Sequence, residues 1–125
     1  YEKKKITTDI PERVFLDGRK SLIKRCFNNL IDNSIKYSNN ILISLKKSAN
    51  SIIIIIDDDG PGIPINEREN VFKPFYKIDK SRSDSKSSVG LGLSIASDII
   101  RSHGGNISLE TSPANGLRTK IFLPF

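Results

Sequence analysis

Asn29, Asn33, Lys36 and Tyr37 stand at i, i+4, i+7 and i+8 of a segment with helical periodicity, so they share one helix face. An asparagine oxygen is a hard, neutral ligand suited to Mg²⁺, which takes few protein ligands and completes its shell with phosphate oxygens and water. Asn33 is the candidate for that work, and a solvated polar face is the plain alternative. Further along, Asp57-Asp58-Asp59-Gly60-Pro61-Gly62 follows an apolar run. A carboxylate there, beside glycines that let backbone approach a flat ligand, can accept from an exocyclic amine. Asp58 in that role would read adenine and disfavour guanine, whose corresponding edge carries a carbonyl. The alternatives are a tight turn after a strand, which Asp, Gly and Pro favour, and a calcium loop, whose downstream spacing is missing. In Gly90-Leu91-Gly92-Leu93-Ser94 a polar loop becomes a helix, which would turn backbone N–H groups toward phosphate oxygens. Neither a Walker loop nor a dinucleotide fingerprint fits that spacing. Lys73, Lys77, Lys80, Arg82 and Lys86 precede it and could meet a triphosphate or simply face water.

Positioning these groups requires helices and a sheet. Ile23, Phe27, Leu30, Ile31 and Ile35 predict an amphipathic helix from Gly18 to Ser38, with the polar face roughly opposite the apolar stripe. Ile41 to Lys47 alternates and Ile52 to Ile56 is a β-branched run, so the Ser48 to Ser51 segment suits a hairpin whose second strand is central. That strand is expected to give way to a loop at the aspartates. Asn66 to Phe72 predicts a short helix, and Lys77 to Val89 is a polar loop by composition. Helical spacing returns from Gly92 to His103, stopped by Gly104 and Gly105. Ile107 to Thr111 and Arg118 to Leu123 alternate as strands joined through Pro113, Asn115 and Gly116, and Tyr1 to Phe15 reads as an entering strand or linker. Elements mixed without regular βαβ alternation imply an α+β fold, with helices on one face of a mixed, mostly antiparallel sheet.

The chain has 125 residues, the length of one domain. It contains no methionine and begins at Tyr1, which is expected of a piece of something longer. One cysteine, Cys26, forms no internal disulfide, and no Cys/His cluster has zinc spacing, so a reducing, cytosolic setting is expected. The longest apolar run, Ile52 to Ile56, is far below the ~20 residues of a membrane-spanning helix. A net charge of +6 is compatible with nucleic acid, an acidic partner or a polyphosphate ligand.

Taken together, FNNLIDNSIKYS, DDDGPGI, FKPFYKID and GLGLSIASDIIRSHGG resemble the N, G1, F and G2 boxes of the catalytic ATP-binding domain of bacterial sensor histidine kinases. That family lies within a wider group containing DNA gyrase and heat-shock chaperone ATPases, and the wording is nearest to osmosensing kinases of the EnvZ type. The resemblance implies the two-layer Bergerat fold with about three helices on the sheet. It implies that Asn33 holds Mg²⁺, that Asn29 assists at the phosphates, that Lys36 contacts the triphosphate and that Tyr37 lies over the adenine. By the same resemblance Asp58 accepts from the adenine amine, Gly60, Gly62 and Ile63 line the base pocket, and Lys77, Leu91 and Leu93 join the ATP site. Gly90 and Gly92 would hinge a lid running from Phe75 to Val89, anchored by Phe72 and Phe75. Ser88 departs from the family, which commonly has glycine there.

The same resemblance implies transfer of the γ-phosphate to a histidine on a separate dimerisation domain, with a response regulator downstream. A monomeric fragment of a homodimeric parent, tethered at the inner membrane by other segments, is the corresponding expectation. His103 ends a helix before two glycines and reads as a cap rather than an acceptor. A serine kinase of the same fold, a nucleotide-binding regulatory module and a nucleic-acid-binding domain remain as alternatives; the last would cluster its cations with stacking aromatics, whereas here they are scattered.

Overall fold

Five consecutive isoleucines are stiff at χ1 and fit a pleated surface, and residues 52–56 lie in the middle strand of a five-stranded sheet. The computed structural model describes residues 5–9, 20–74 and 92–124. The strands are β1 (Lys5–Asp9), β2 (Asn40–Lys47), β3 (Ser51–Asp58), β4 (Asn106–Thr111) and β5 (Leu117–Pro124). The α-helices are α1 (Lys20–Tyr37) and α2 (Gly92–Ser102). Strand order is β1-β2-β3-β5-β4, with β1 parallel to β2 and every other pairing antiparallel. Both expected hairpins form, β2 with β3 and β4 with β5, and Asn115 takes the left-handed position of the second turn at φ 63°.

Ile52, Ile54, Ile56 and Asp58 of β3 are buried on the same sheet face as Leu117, Thr119, Ile121 and Leu123 of β5. The helices pack against one another and share one apolar core with this face. Small residues let them approach: the Cys26 Sγ lies 3.7 Å from the Ala96 carbonyl oxygen, and both residues are 0 % exposed. Burial pushes the Cys26 thiol up to about 11.

That contact corrects the expected orientation of α1. Its most buried line is Cys26, Leu30 and Ser34, while Ile31 and Ile35 are only half-buried. At about 100° per residue, this turns the packed side toward Asn29 and Asn33. Those two are half-buried on its flank, and the solvent face is Lys24, Arg25, Asn28 and Asp32.

The helix expected over Asn66 to Phe72 is found as two 3₁₀ turns, Ile65–Glu67 and Asn70–Phe72. Neither has a side-chain cap, and Lys73 is extended ahead of Pro74, which ends the second turn. Of the expected N-terminal strand, Lys5–Asp9 is observed. The loop expected over Lys77 to Val89 lies outside the described residues. Among those described, no helix is long and apolar enough to cross a membrane.

Candidate functional site

The three aspartates do not leave the sheet together as the sequence suggests. β3 continues through Asp57 and Asp58 because tertiary partners override the poor strand propensity of Asp. Asp57 stands opposite Arg118, whose Nε and Nη2 donate to its two oxygens at 2.7 and 3.0 Å. Hydrogen bonding to Asp57 raises the guanidinium pKa further. Asp59 lies just beyond the strand, and its Oδ1 accepts from the N–H groups of Asn39 and Asn40 at 2.9 and 3.0 Å. Its Oδ2 accepts from the Asn40 side-chain amide at 2.7 Å. These donors, the Asn40 N–H foremost, hold the Asp59 carboxyl at about 2, below its usual 3.8.

Asp58 turns inward and is 5 % exposed. Its Oδ1 accepts from the N–H groups of Gly60 and Leu117, both at 3.0 Å. The Ser112 hydroxyl donates to the Asp58 carbonyl at 2.7 Å and accepts from the Gly116 N–H at 2.9 Å, which ties the β4–β5 turn to the end of β3. Oδ2 accepts no hydrogen bond among the described residues, and no fully enclosed side-chain polar atom among them lacks a partner. It therefore reaches the opening of this corner as an oriented acceptor with capacity left.

Backbone crowds the rest of the corner. A Cβ on Gly60 would stand 2.7 Å from the Tyr37 carbonyl oxygen, and Gly62, at φ +71°, faces the Gly116 carbonyl. The end of α1, the loop after β3 and the β4–β5 turn thus meet at Asp58. Below lies an apolar cluster of Val71, Leu109 and Leu117, against which Ile63, Phe72 and Leu93 pack half-buried. Leu117 connects this floor to Asp58, and Phe72 also touches the main core, so it is anchored within the domain.

The helix reaches this corner at Tyr37, whose carbonyl meets Gly60, and Asn33 and Asn29 stand about one and two turns earlier on it. Asn29, Asn33 and Lys36 are half-buried, and Tyr37 is 49 % exposed with the Lys36 Nζ 5.7 Å from its ring centroid. Gly92 begins α2 with open space where a Cβ would stand. Among the described residues no three His, Cys, Asp or Glu side chains gather to hold a metal ion. An ion at Asn33 would draw most of its ligands from phosphates and water, as Mg²⁺ commonly does. Phe75, Lys77, Ser88, Gly90 and Leu91 lie outside the described residues.

Sequence reasoning passed over Asp59, Ser112, Leu117 and Thr119. Nothing in the type of Leu117 announces that its N–H serves a carboxylate. Ser112 carried a usable signal, since serine beside Pro-Ala-Asn-Gly commonly bonds turn backbone. Thr119, 3 % exposed and on the same face as Asp58, interrupts the apolar alternation of Leu117, Ile121 and Leu123, and that interruption is visible in the sequence.

A mixed sheet under packed helices, with a half-satisfied carboxylate at the end of its central strand and amides on the adjoining helix, is an arrangement suited to a nucleotide. Residues 18–125 match the family described as Histidine kinase-, DNA gyrase B-, and HSP90-like ATPase, and the chain belongs to it. It is 35 % identical over 123 residues to the sensor histidine kinase CpxA of Escherichia coli K12, covering 97 % of this chain and 27 % of that one. To the sensor histidine kinase GtrS of Pseudomonas aeruginosa it is 37 % identical over 107 residues, covering 86 % of this chain and 22 % of the relative. Its fold is similar to the mycobacterial sensor histidine kinase MprB, with a TM-score of 0.83 and 27 % identity over 98 % of this chain and 83 % of that one. The ATP-binding domain of PrrB from Mycobacterium tuberculosis is similar at a TM-score of 0.81 and 28 % identity, covering 99 % of this chain and 82 % of that one. The chain spans 22 % and 27 % of the lengths of the two curated relatives.

Proposed function

We propose that this chain binds Mg-ATP and positions the γ-phosphate for transfer to a histidine on a separate dimerisation domain, as the catalytic domain of a protein histidine kinase in two-component signalling. The observation that carries the reading is Asp58, buried and oriented by two backbone N–H groups, with its second oxygen left over. That oxygen accepts from the adenine amine, and Gly60, Gly62 and Ile63 let the base approach over the apolar floor. Tyr37 covers the base. Asn33, assisted by Asn29, holds the Mg²⁺, and Lys36 adds charge at the triphosphate. Gly90 and Gly92, with Leu91 and Leu93, form the phosphate side, to which Phe75 and Lys77 also belong.

The chemistry asks for little covalent work. Positioning and charge neutralisation dominate phosphoryl transfer, and Mg²⁺ when bound supplies the larger part of that neutralisation. The γ-phosphoryl group forms a P–N bond to the acceptor imidazole as its bond to the bridging oxygen breaks, and ADP leaves. The acceptor and its helper base belong to the other domain, and a response regulator receives the phosphoryl group afterwards. A cytoplasmic position within a membrane-tethered, homodimeric sensor belongs to the same proposal. The names of the relatives support it.

Calorimetric titration with ATP and GTP, each with and without Mg²⁺, tests this. ATP is expected to bind and GTP to be rejected. Asp58→Asn keeps an oxygen for Gly60 and Leu117 but can present an N–H₂ group to the adenine amine, and it is expected to weaken ATP roughly 100-fold. Asn33→Ala is expected to remove the Mg²⁺ dependence. Unchanged ATP affinity in Asp58→Asn would sink the assignment.

A further inference from the structure

The carboxylate of Asp59 accepts three hydrogen bonds from Asn39 and Asn40, the residues that follow the end of α1. Asn39 and Asn40 follow Ser38, whose hydroxyl donates to the Ser34 carbonyl at 2.5 Å and so closes the last turn of the helix. The Asp59 N–H returns a weaker bond to the Asn40 carbonyl at 3.3 Å, so the contact is reciprocal. One residue further, Gly60 lies so near the Tyr37 carbonyl that a Cβ would not fit between them. Two adjacent residues of the loop are thus held to the exit of α1, one by hydrogen bonds and one by close packing.

What these ties join is specific. On one side stands Asp58, held from the β4–β5 hairpin by the Leu117 N–H on its carboxylate and the Ser112 hydroxyl on its carbonyl. On the other stands the last part of α1, which carries Asn33, Lys36 and Tyr37. From this we infer that Asp59 is a positioning residue: it fixes the metal- and phosphate-binding end of α1 relative to the carboxylate that reads the base. The inference rests on the ATP reading above and adds a residue that touches neither base nor phosphate. Small displacements between groups that bind opposite ends of one ligand are costly, because the ligand cannot satisfy both.

The consequence separates this role from plain stabilisation. Loss of the Asp59 bonds leaves Asp58 in place and leaves Gly60 packed on the Tyr37 carbonyl, so Tyr37 stays over the base and affinity for adenosine alone is nearly retained, whereas the increment added by Mg²⁺ and the triphosphate falls. Asp59→Asn keeps an oxygen for the Asn39 and Asn40 N–H groups, and a flipped Asn40 amide can accept from the new N–H₂, so this variant rescues. The experiment measures Mg-ATP affinity by calorimetry and adenosine affinity by NMR titration, below the melting range of every variant. Asp59→Ala is expected to weaken Mg-ATP about tenfold and to move adenosine by less than about twofold, with Asp59→Asn close to the unaltered chain. In an Asn33→Ala background the Asp59→Ala loss is expected to shrink to within about twofold, the signature of coupling between the two residues.

Equal losses for adenosine and Mg-ATP, or no loss in Asp59→Ala while the unaltered chain binds Mg-ATP, overturn this inference alone. Failure of the unaltered chain to bind Mg-ATP overturns the ATP reading and this inference with it.

Discussion

Two corners of the domain are built from similar parts and end differently. At the end of α2, the N–H groups of Gly104 and Gly105 bond the carbonyls of Arg101 and Ile100 at 3.0 Å, and the His103 Nδ1 lies 2.8 Å from the Ile99 carbonyl. At the end of β3, glycines again press on backbone, but Oδ2 of Asp58 has no protein partner among the described residues. The first corner satisfies the carbonyls a helix end leaves over. The second keeps one oriented acceptor in reserve at a buried position. Both corners combine closely packed glycines with backbone hydrogen bonds, so leftover capacity is what separates them.

Matched alanine substitutions sharpen that comparison most strongly. A Cβ on Gly105 would lie 2.1 Å from the Phe122 carbonyl oxygen, and one on Gly116 would lie 2.2 Å from the Asp58 carbonyl oxygen and 2.7 Å from Oδ1. Backbone must shift in either case, and each variant is expected to lose roughly 1–3 kcal/mol or more in chemical denaturation. Measured on the folded fraction, Gly105→Ala should bind ATP normally. Gly116→Ala displaces the Asp58 carboxylate, proposed above to read the base, and should bind about tenfold more weakly or worse. Equal ATP affinities in the two variants would break the distinction.

Acid affects the β3 corner with a known sign. The Asp59 carboxyl is held at about 2 in the folded chain against an ordinary 3.8. A depressed folded pKa contributes stability that is present above the unfolded value and lost as pH falls through the folded one. Denaturation midpoints followed from about pH 5 to about pH 2 should therefore fall more steeply for the unaltered chain than for Asp59→Asn. Parallel curves would mean that these hydrogen bonds stabilise the carboxylate no better than water does.

Much of this was legible in the sequence. Apolar periods of 2 and 3.6 placed β2 to β5, both hairpins and both helices to within a few residues, and the end of α1 at Tyr37 and the loop after Asp58, read from separate segments, do meet. What stayed hidden was set by partners rather than by residue type. Asp57 remains in β3 because Arg118 is opposite, and α1 is turned because small Cys26 meets Ala96. The roles of Asp59 and Leu117 depend on backbone N–H groups, which every residue but proline carries, so no pattern of side chains reveals them.

The smallest effect belongs to His103, and it tests the closed corner directly. A carbonyl oxygen only accepts, so the Nδ1 of His103 carries the proton it shares with Ile99, and the ring closes the last turn of α2. His103→Ala removes that bond at a half-buried position, and a loss of about 0.5–1.5 kcal/mol is expected from chemical denaturation. ATP affinity should not move, because the helix end and the Asp58 corner lie at different ends of the β-hairpin: Asn106 of β4 begins beside Gly105, whereas Ser112 and Gly116 close the opposite turn. Incubation of the unaltered chain with Mg-ATP labelled at the γ-phosphate should likewise leave His103 unlabelled, since it stands at the opposite end of the β4–β5 hairpin from Asp58. Labelled His103 would mean that this corner also holds reactive capacity, and the contrast between the two would fail.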